Sequence, residues 1–87
     1  MRKRKSLLEK MRANPRGDWQ IKDVETLCEQ VGLELRPPSG GSHFKVCSPL
    51  LRDILTIPAR RPIKAPYIRN LVSYSDAHRS LEEEGDD

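Results

Sequence analysis

A glycine-loosened turn runs into a strand-like segment at Gly40-Gly41-Ser42-His43-Phe44-Lys45-Val46, and one histidine sits at the junction. Imidazole is the side chain best suited to move protons near neutral pH, because its ordinary pKa is about 6.5. Glycines beside it let the backbone approach a ligand closely and present N–H groups to an anion. His43 is therefore the first candidate for proton transfer, and the backbone from Gly40 to Ser42 for anion binding. The competing expectation for Ser42 is a local turn bond. His78 lies close to the C-terminus and reads as part of a frayed end, which leaves His43 alone in the folded body.

The charge pattern suggests which anion. The chain carries sixteen Lys and Arg against thirteen Asp and Glu, a net +3. Five of the acids fall in Glu82-Glu83-Glu84-Gly85-Asp86-Asp87, so residues 1–81 hold sixteen basic and eight acidic side chains. From Arg36 to Lys64 six basic residues, Lys45 and Arg52 among them, face one acid, Asp53. Such a surplus is the footprint of a phosphate-binding surface, although a merely solvated basic face gives the same pattern. Arg60, Arg61 and Lys64 cluster just before the last helix, whose dipole also favours an anion at that end.

These parts suit RNA. A ribose 2′-hydroxyl lies beside each phosphodiester, and a neutral imidazole within reach can remove its proton. Charge building on the phosphoryl oxygens can be met by Arg, Lys or backbone N–H groups. The departing 5′-oxygen also needs a proton, for which water, Tyr67 or a lysine are the candidates. For Tyr67 the plainer expectation is packing on a helix face. No metal and no other cofactor is expected, because no carboxylate cluster suited to Mg²⁺ is present. Cys28 and Cys47 form no CxxC pair and lack zinc spacing; both read as buried, reduced thiols.

The elements that must position these groups are legible in outline. Eighty-seven residues, 36% of them hydrophobic, make one small domain with a thin core, to which a partner protein can contribute. Met1 to Lys5 is a basic arm. Leu7, Leu8 and Met11 form a short helical stripe that Asn14-Pro15 ends. Trp19 beside the following turn is expected in the core. Ile21, Val24, Leu27, Cys28 and Val31 recur on one helical face, and Gly32 follows as a C-terminal cap, which predicts a helix over 21–31. Leu33–Arg36, Phe44–Cys47 and Ile54–Ile57 read as strands, and Pro66 opens a closing helix that buries Ile68, Leu71 and Val72. The expectation is an α+β fold: a three-stranded antiparallel meander with helices on one face. Residues 1–78 form the domain and 79–87 a disordered acidic tail. No apolar run suits a signal peptide or a membrane span, so a cytoplasmic protein is expected.

Four segments, in order, resemble one known family. Gly41-Ser42-His43-Phe44-Lys45-Val46, Leu55-Thr56-Ile57-Pro58, Arg61-Pro62-Ile63-Lys64 and Tyr67-Ile68-Arg69-Asn70-Leu71-Val72 look like a HicA-type toxin, the RNA-cleaving half of bacterial HicA–HicB toxin–antitoxin pairs. The resemblance covers about Leu7 to Val72. It implies a fold similar to a double-stranded-RNA-binding domain, ribosome-independent mRNA cleavage, and neutralisation by a HicB-type antitoxin in a hetero-oligomeric complex. It also implies that His43 is the catalytic base. Gly41, Ser42 and Lys45 beside it, the loop cations Arg60, Arg61 and Lys64, and Arg69 of the matching helix are then the candidate RNA contacts. Phe44 stands where the family commonly has a second His or another aromatic, which suits a packing role. The arm and first helix precede the usual core. The alternative is a non-catalytic RNA-binding module of the same fold, or a toxin relative that only assembles with its partner.

Overall fold

The computed structural model describes residues 6–85. Its elements are α1 (Leu7–Ala13), α2 (Ile21–Val31), β1 (Glu34–Arg36), β2 (His43–Cys47), β3 (Leu55–Pro58) and α3 (Ala65–Gly85). The basic arm Met1–Lys5 and the last two acids lie outside the described residues.

Local chemistry sets the helix ends. Ser6 Oγ accepts the Glu9 N–H at 3.2 Å and starts α1, and Asn14 ends it before Pro15. At α2 the Asp23 carboxylate accepts the Gln20 N–H at 2.9 Å. Gly32, at φ +97°, closes α2 in the left-handed region that glycine occupies without a Cβ penalty. The N–H groups of Gly32 and Leu33 both bond the Cys28 carbonyl at 2.8 Å. That cap uses the Leu33 N–H, so β1 begins one residue later than the apolar alternation suggests.

The three strands form an antiparallel sheet in the order β1-β2-β3. Register pairs Leu35 with Val46, Val46 with Leu55, and Phe44 with Ile57. Because side chains alternate along a strand, those residues share one face. Val46 and Ile57 on it are fully buried. They join Val24, Leu27 and Cys28 of α2 and Ile68, Leu71 and Val72 of α3 in one apolar cluster. Burying each of the larger of these side chains is worth about 1.5–3 kcal/mol. Leu8 and Met11 of α1 complete the cluster, and Arg12 ties α1 to α3 by a two-pronged bond to Asp76 at 2.8 and 2.9 Å. Half-buried Trp19 packs against the same cluster, as expected. The other sheet face carries His43, Lys45, Arg36 and Thr56, all exposed. Strand β3 starts at Leu55 rather than Ile54, which is 52% exposed, and ends on Pro58, opposite His43. Proline fits there because β3 is an edge strand.

Two expectations for the C-terminus are corrected. Residues 79–85 continue α3 instead of opening a disordered tail. Leu81 is half-buried, and Arg79 and Glu82 border a crevice shared with Leu8 of α1 and Leu27 of α2, so the helix has something to pack on. His78 is not frayed: it is 1% exposed. Its Nδ1 lies 2.7 Å from Ser48 Oγ, in the connection between β2 and β3. Ser48 Oγ also accepts the Leu50 N–H at 3.0 Å. The other ring nitrogen, Nε2, lies 3.5 Å from Glu82 Oε2. The contact fastens the long helix to the sheet. Replacing Ser48 with Ala removes the partner of His78 Nδ1 and of the Leu50 N–H, at a cost of about 1–3 kcal/mol. A lower urea midpoint at unchanged slope is the expected result; an unmoved midpoint would deny the bond any structural weight.

Candidate nucleic-acid interface

His43 opens β2, and the backbone around it is held by the chain of β3. It pairs with Pro58 across the ladder, and the Ala59 N–H bonds the Ser42 carbonyl at 2.7 Å, one step further out. The glycine loop before it and the basic loop after β3 are therefore fastened together at the histidine.

The basic loop has further anchors. Ile63 is 1% exposed, and its N–H donates to the Trp19 carbonyl at 2.9 Å. Arg61 turns towards the same segment and donates to both Asp18 oxygens, at 3.0 and 3.4 Å. The loop also contains a cis peptide bond between Arg61 and Pro62. With Ile63 pinned inward and Arg61 drawn to Asp18, Arg60 and Lys64 are left on the side of His43.

There they line a cleft of about 400 Å³. Ser42 and His43 form one wall, Pro58, Ala59 and Arg60 the next, and Lys64 and Tyr67 the α3 side. A second cleft, of about 420 Å³, also has the imidazole in its wall. The loop from Pro37 to Gly41 encloses it, with Arg36, His43 and Lys45 rising from the sheet. His43 lines both clefts. Among the described residues, Lys45, Arg60 and Lys64 have no carboxylate within ion-pair distance.

Of the residues singled out from sequence, Ser42, His43, Arg60 and Lys64 thus share the first cleft, and Gly41, His43 and Lys45 the second. Arg61 and Arg69 are not among them. Arg61 is occupied by Asp18, and Arg69 lines a groove with Met11, Arg12 and Pro15 on another side of α3. Tyr67 is half-buried, packs against the core and still lines the first cleft, so packing and access to the cleft coexist. Arg36, counted in the basic surplus but not singled out as a contact, borders the second cleft with its guanidinium held by Glu34 at 3.1 and 3.4 Å. The alternation Glu34-Leu35-Arg36 was the available signal, since it places both ends on the exposed face.

Ser48, His78 and Glu82 also bring a hydroxyl, an imidazole and a carboxylate together. Ser48 is 8% and His78 1% exposed, and neither lines either cleft, so this trio holds the fold. Cys28 and Cys47 are both free and buried, and burial pushes the Cys28 thiol up to about 11. Among the described residues no group of three or more His, Cys, Asp or Glu is placed to hold a metal ion. No described helix is long and apolar enough to cross a membrane. Comparison with protein-family models, with curated proteins and with solved structures found no match for this chain.

The hydrogen bond from Arg61 holds the Asp18 carboxyl below its ordinary value, with partial desolvation opposing it. A depressed folded pKa means that the pair contributes above the ordinary carboxylate value of about 3.9 and is lost as pH falls through the lower folded one. In an NMR titration Arg61→Ala should move Asp18 back up towards that ordinary value; an unmoved Asp18 would show that Arg61 is not held there.

Proposed function

We propose that this chain is a metal-independent endoribonuclease that cleaves mRNA with His43 as general base. The observation that carries the reading is one cleft in which an exposed imidazole meets two cations, neither with a carboxylate partner among the described residues, a hydroxyl and a phenol. His43 takes the proton of a ribose 2′-hydroxyl, and the 2′-oxygen attacks the adjacent phosphorus as the bond to the 5′-oxygen breaks. The products are a 2′,3′-cyclic phosphate and a free 5′-hydroxyl. General-base assistance of this kind is typically worth about 10²–10⁴-fold. Arg60 and Lys64 meet the charge that develops on the phosphoryl oxygens. Tyr67 and Lys64 are the proton-bearing groups of that cleft available to the departing 5′-oxygen.

With the resemblance to HicA-type toxins, the same reading makes the chain the toxin of a toxin–antitoxin pair, acting on mRNA in the cytoplasm. A HicB-type antitoxin would silence it by covering the cationic cleft, since a protein that occupies the walls around His43 excludes RNA.

His43→Ala should abolish cleavage of a single-stranded transcript and the associated growth arrest, with thermal unfolding and RNA affinity nearly unchanged. If wild type and variant leave RNA equally intact while still binding it, the chain is a binding module instead. Arg60→Ala and Lys64→Ala should each flatten the salt dependence of RNA affinity, the log–log slope falling by about 0.7 per lost phosphate contact on a single strand. An unchanged slope in both variants would remove those side chains from the interface.

A further inference from the structure

Two clefts share one imidazole, and the chemistry of His43 uses only the first. The second is built by the segment from Arg36 to Gly41 and by Lys45, and three features of it point outward to a ligand.

The first is electrostatic. Arg36 and Lys45 stand directly opposite each other in the β1–β2 register, on the same exposed face. Side chains so placed have Cβ atoms about 4.5–5.5 Å apart, and like charges in that relation are destabilising. Glu34 offsets part of this by holding the Arg36 guanidinium, but Lys45 has no carboxylate partner among the described residues. An anion resting between the two cations would relieve the repulsion.

The second concerns glycine. Gly40 and Gly41 do not have positive φ, and a Cβ built on either would meet no heavy atom within 4 Å. Neither backbone strain nor packing inside the chain calls for glycine there. Both line the second cleft, and a methyl group on either would stand in open space. Glycine costs conformational entropy on folding, which makes its unforced presence at two successive positions informative.

The third is the lining. Pro37 and Pro38 supply rigid apolar wall against which an unstacked base can lie.

We propose that the second cleft is a nucleotide subsite, so that one single RNA strand crosses His43 with a nucleotide on either side and its connecting phosphodiester over the imidazole. The inference rests on the ribonuclease reading and adds to it. Arg36 and Lys45 take the phosphate of the outer nucleotide, and the base lies against the Pro37-Pro38 wall, with the Gly40-Gly41 backbone giving it room. A duplex would not suit this path, because its bases stay stacked and paired instead of parting into separate clefts. The requirement is a strand long enough to reach both clefts and unpaired at the crossing.

The test uses the full-length chain and a short RNA of mixed sequence in two forms. A uniformly 2′-O-methylated form lacks the reactive proton and reports binding by fluorescence anisotropy; the unmodified form reports cleavage. Gly41→Ala and Gly40→Ala add one methyl group and no charge, and melting temperatures should stay at or above the wild-type value. Each should weaken binding of the methylated strand and raise KM by about tenfold, with kcat at saturation little altered, as expected when remote binding is lost. Lys45→Ala should lower the log–log salt slope by about 0.7. If both glycine variants and Lys45→Ala bind and cleave as wild type does while His43→Ala is inactive, the subsite is refuted and the ribonuclease reading survives. Wild-type protein that neither binds the methylated strand nor cuts the unmodified one would sink both.

Discussion

The hydrogen bond from the Ala59 N–H to the Ser42 carbonyl is the contact on which the candidate site depends. At 2.7 Å it carries the β2–β3 ladder one step past the His43–Pro58 pair. A strand end without such a bond frays, and a histidine there would sample many positions relative to the chain leaving β3. Closed as it is, the ladder delivers that chain beside the imidazole, and Arg60 is the next residue along. The other end of the loop is fixed by Ile63, buried in the core with its N–H on the Trp19 carbonyl. Between these two anchors only three residues are free to choose a direction. Arg61 goes to Asp18, and Arg60 borders the cleft.

Charge is divided between two tasks by the same geometry. Arg12 with Asp76, Arg36 with Glu34 and Arg61 with Asp18 are exposed pairs, each worth little to stability, typically about 0.2–1 kcal/mol. Their effect is to hold particular side chains in place and to leave others uncompensated. Lys45, Arg60 and Lys64 are among those others, as are Arg52 and Arg69 among the described residues, and the first three line the two clefts whose walls include His43. A chain of modest net charge can thereby concentrate a positive field at one place.

The two histidines are separated along similar lines. His43 stands exposed at a strand end, where an imidazole can exchange protons with solvent or a ligand. His78 is buried in the middle of α3, and a serine from the sheet connection bonds its Nδ1. One is open to a ligand and the other braces the fold. The brace lies under the helix whose first turns carry Tyr67 to the cleft.

What the residues alone determined is local. The apolar spacing of Ile21, Val24, Leu27, Cys28 and Val31, closed by Gly32, defines α2, because helical periodicity and a left-handed cap are properties of neighbouring residues. The proline and glycine breaks likewise separate three strands, and the glycine turn puts His43 at a strand start. Misreadings arose where a distant partner decides. His78 looked frayed because Ser48 lies thirty residues away, and residues 79–85 looked disordered because their acids are visible in the sequence but the α1–α2 crevice is not. Arg60 and Arg61 are adjacent and chemically alike, so nothing local tells which one lines the cleft. Asp18, forty-three positions from Arg61, draws one of the pair aside. Ion-pair partners and shared cavity walls are set by how the elements pack, so the tertiary structure alone could assign them.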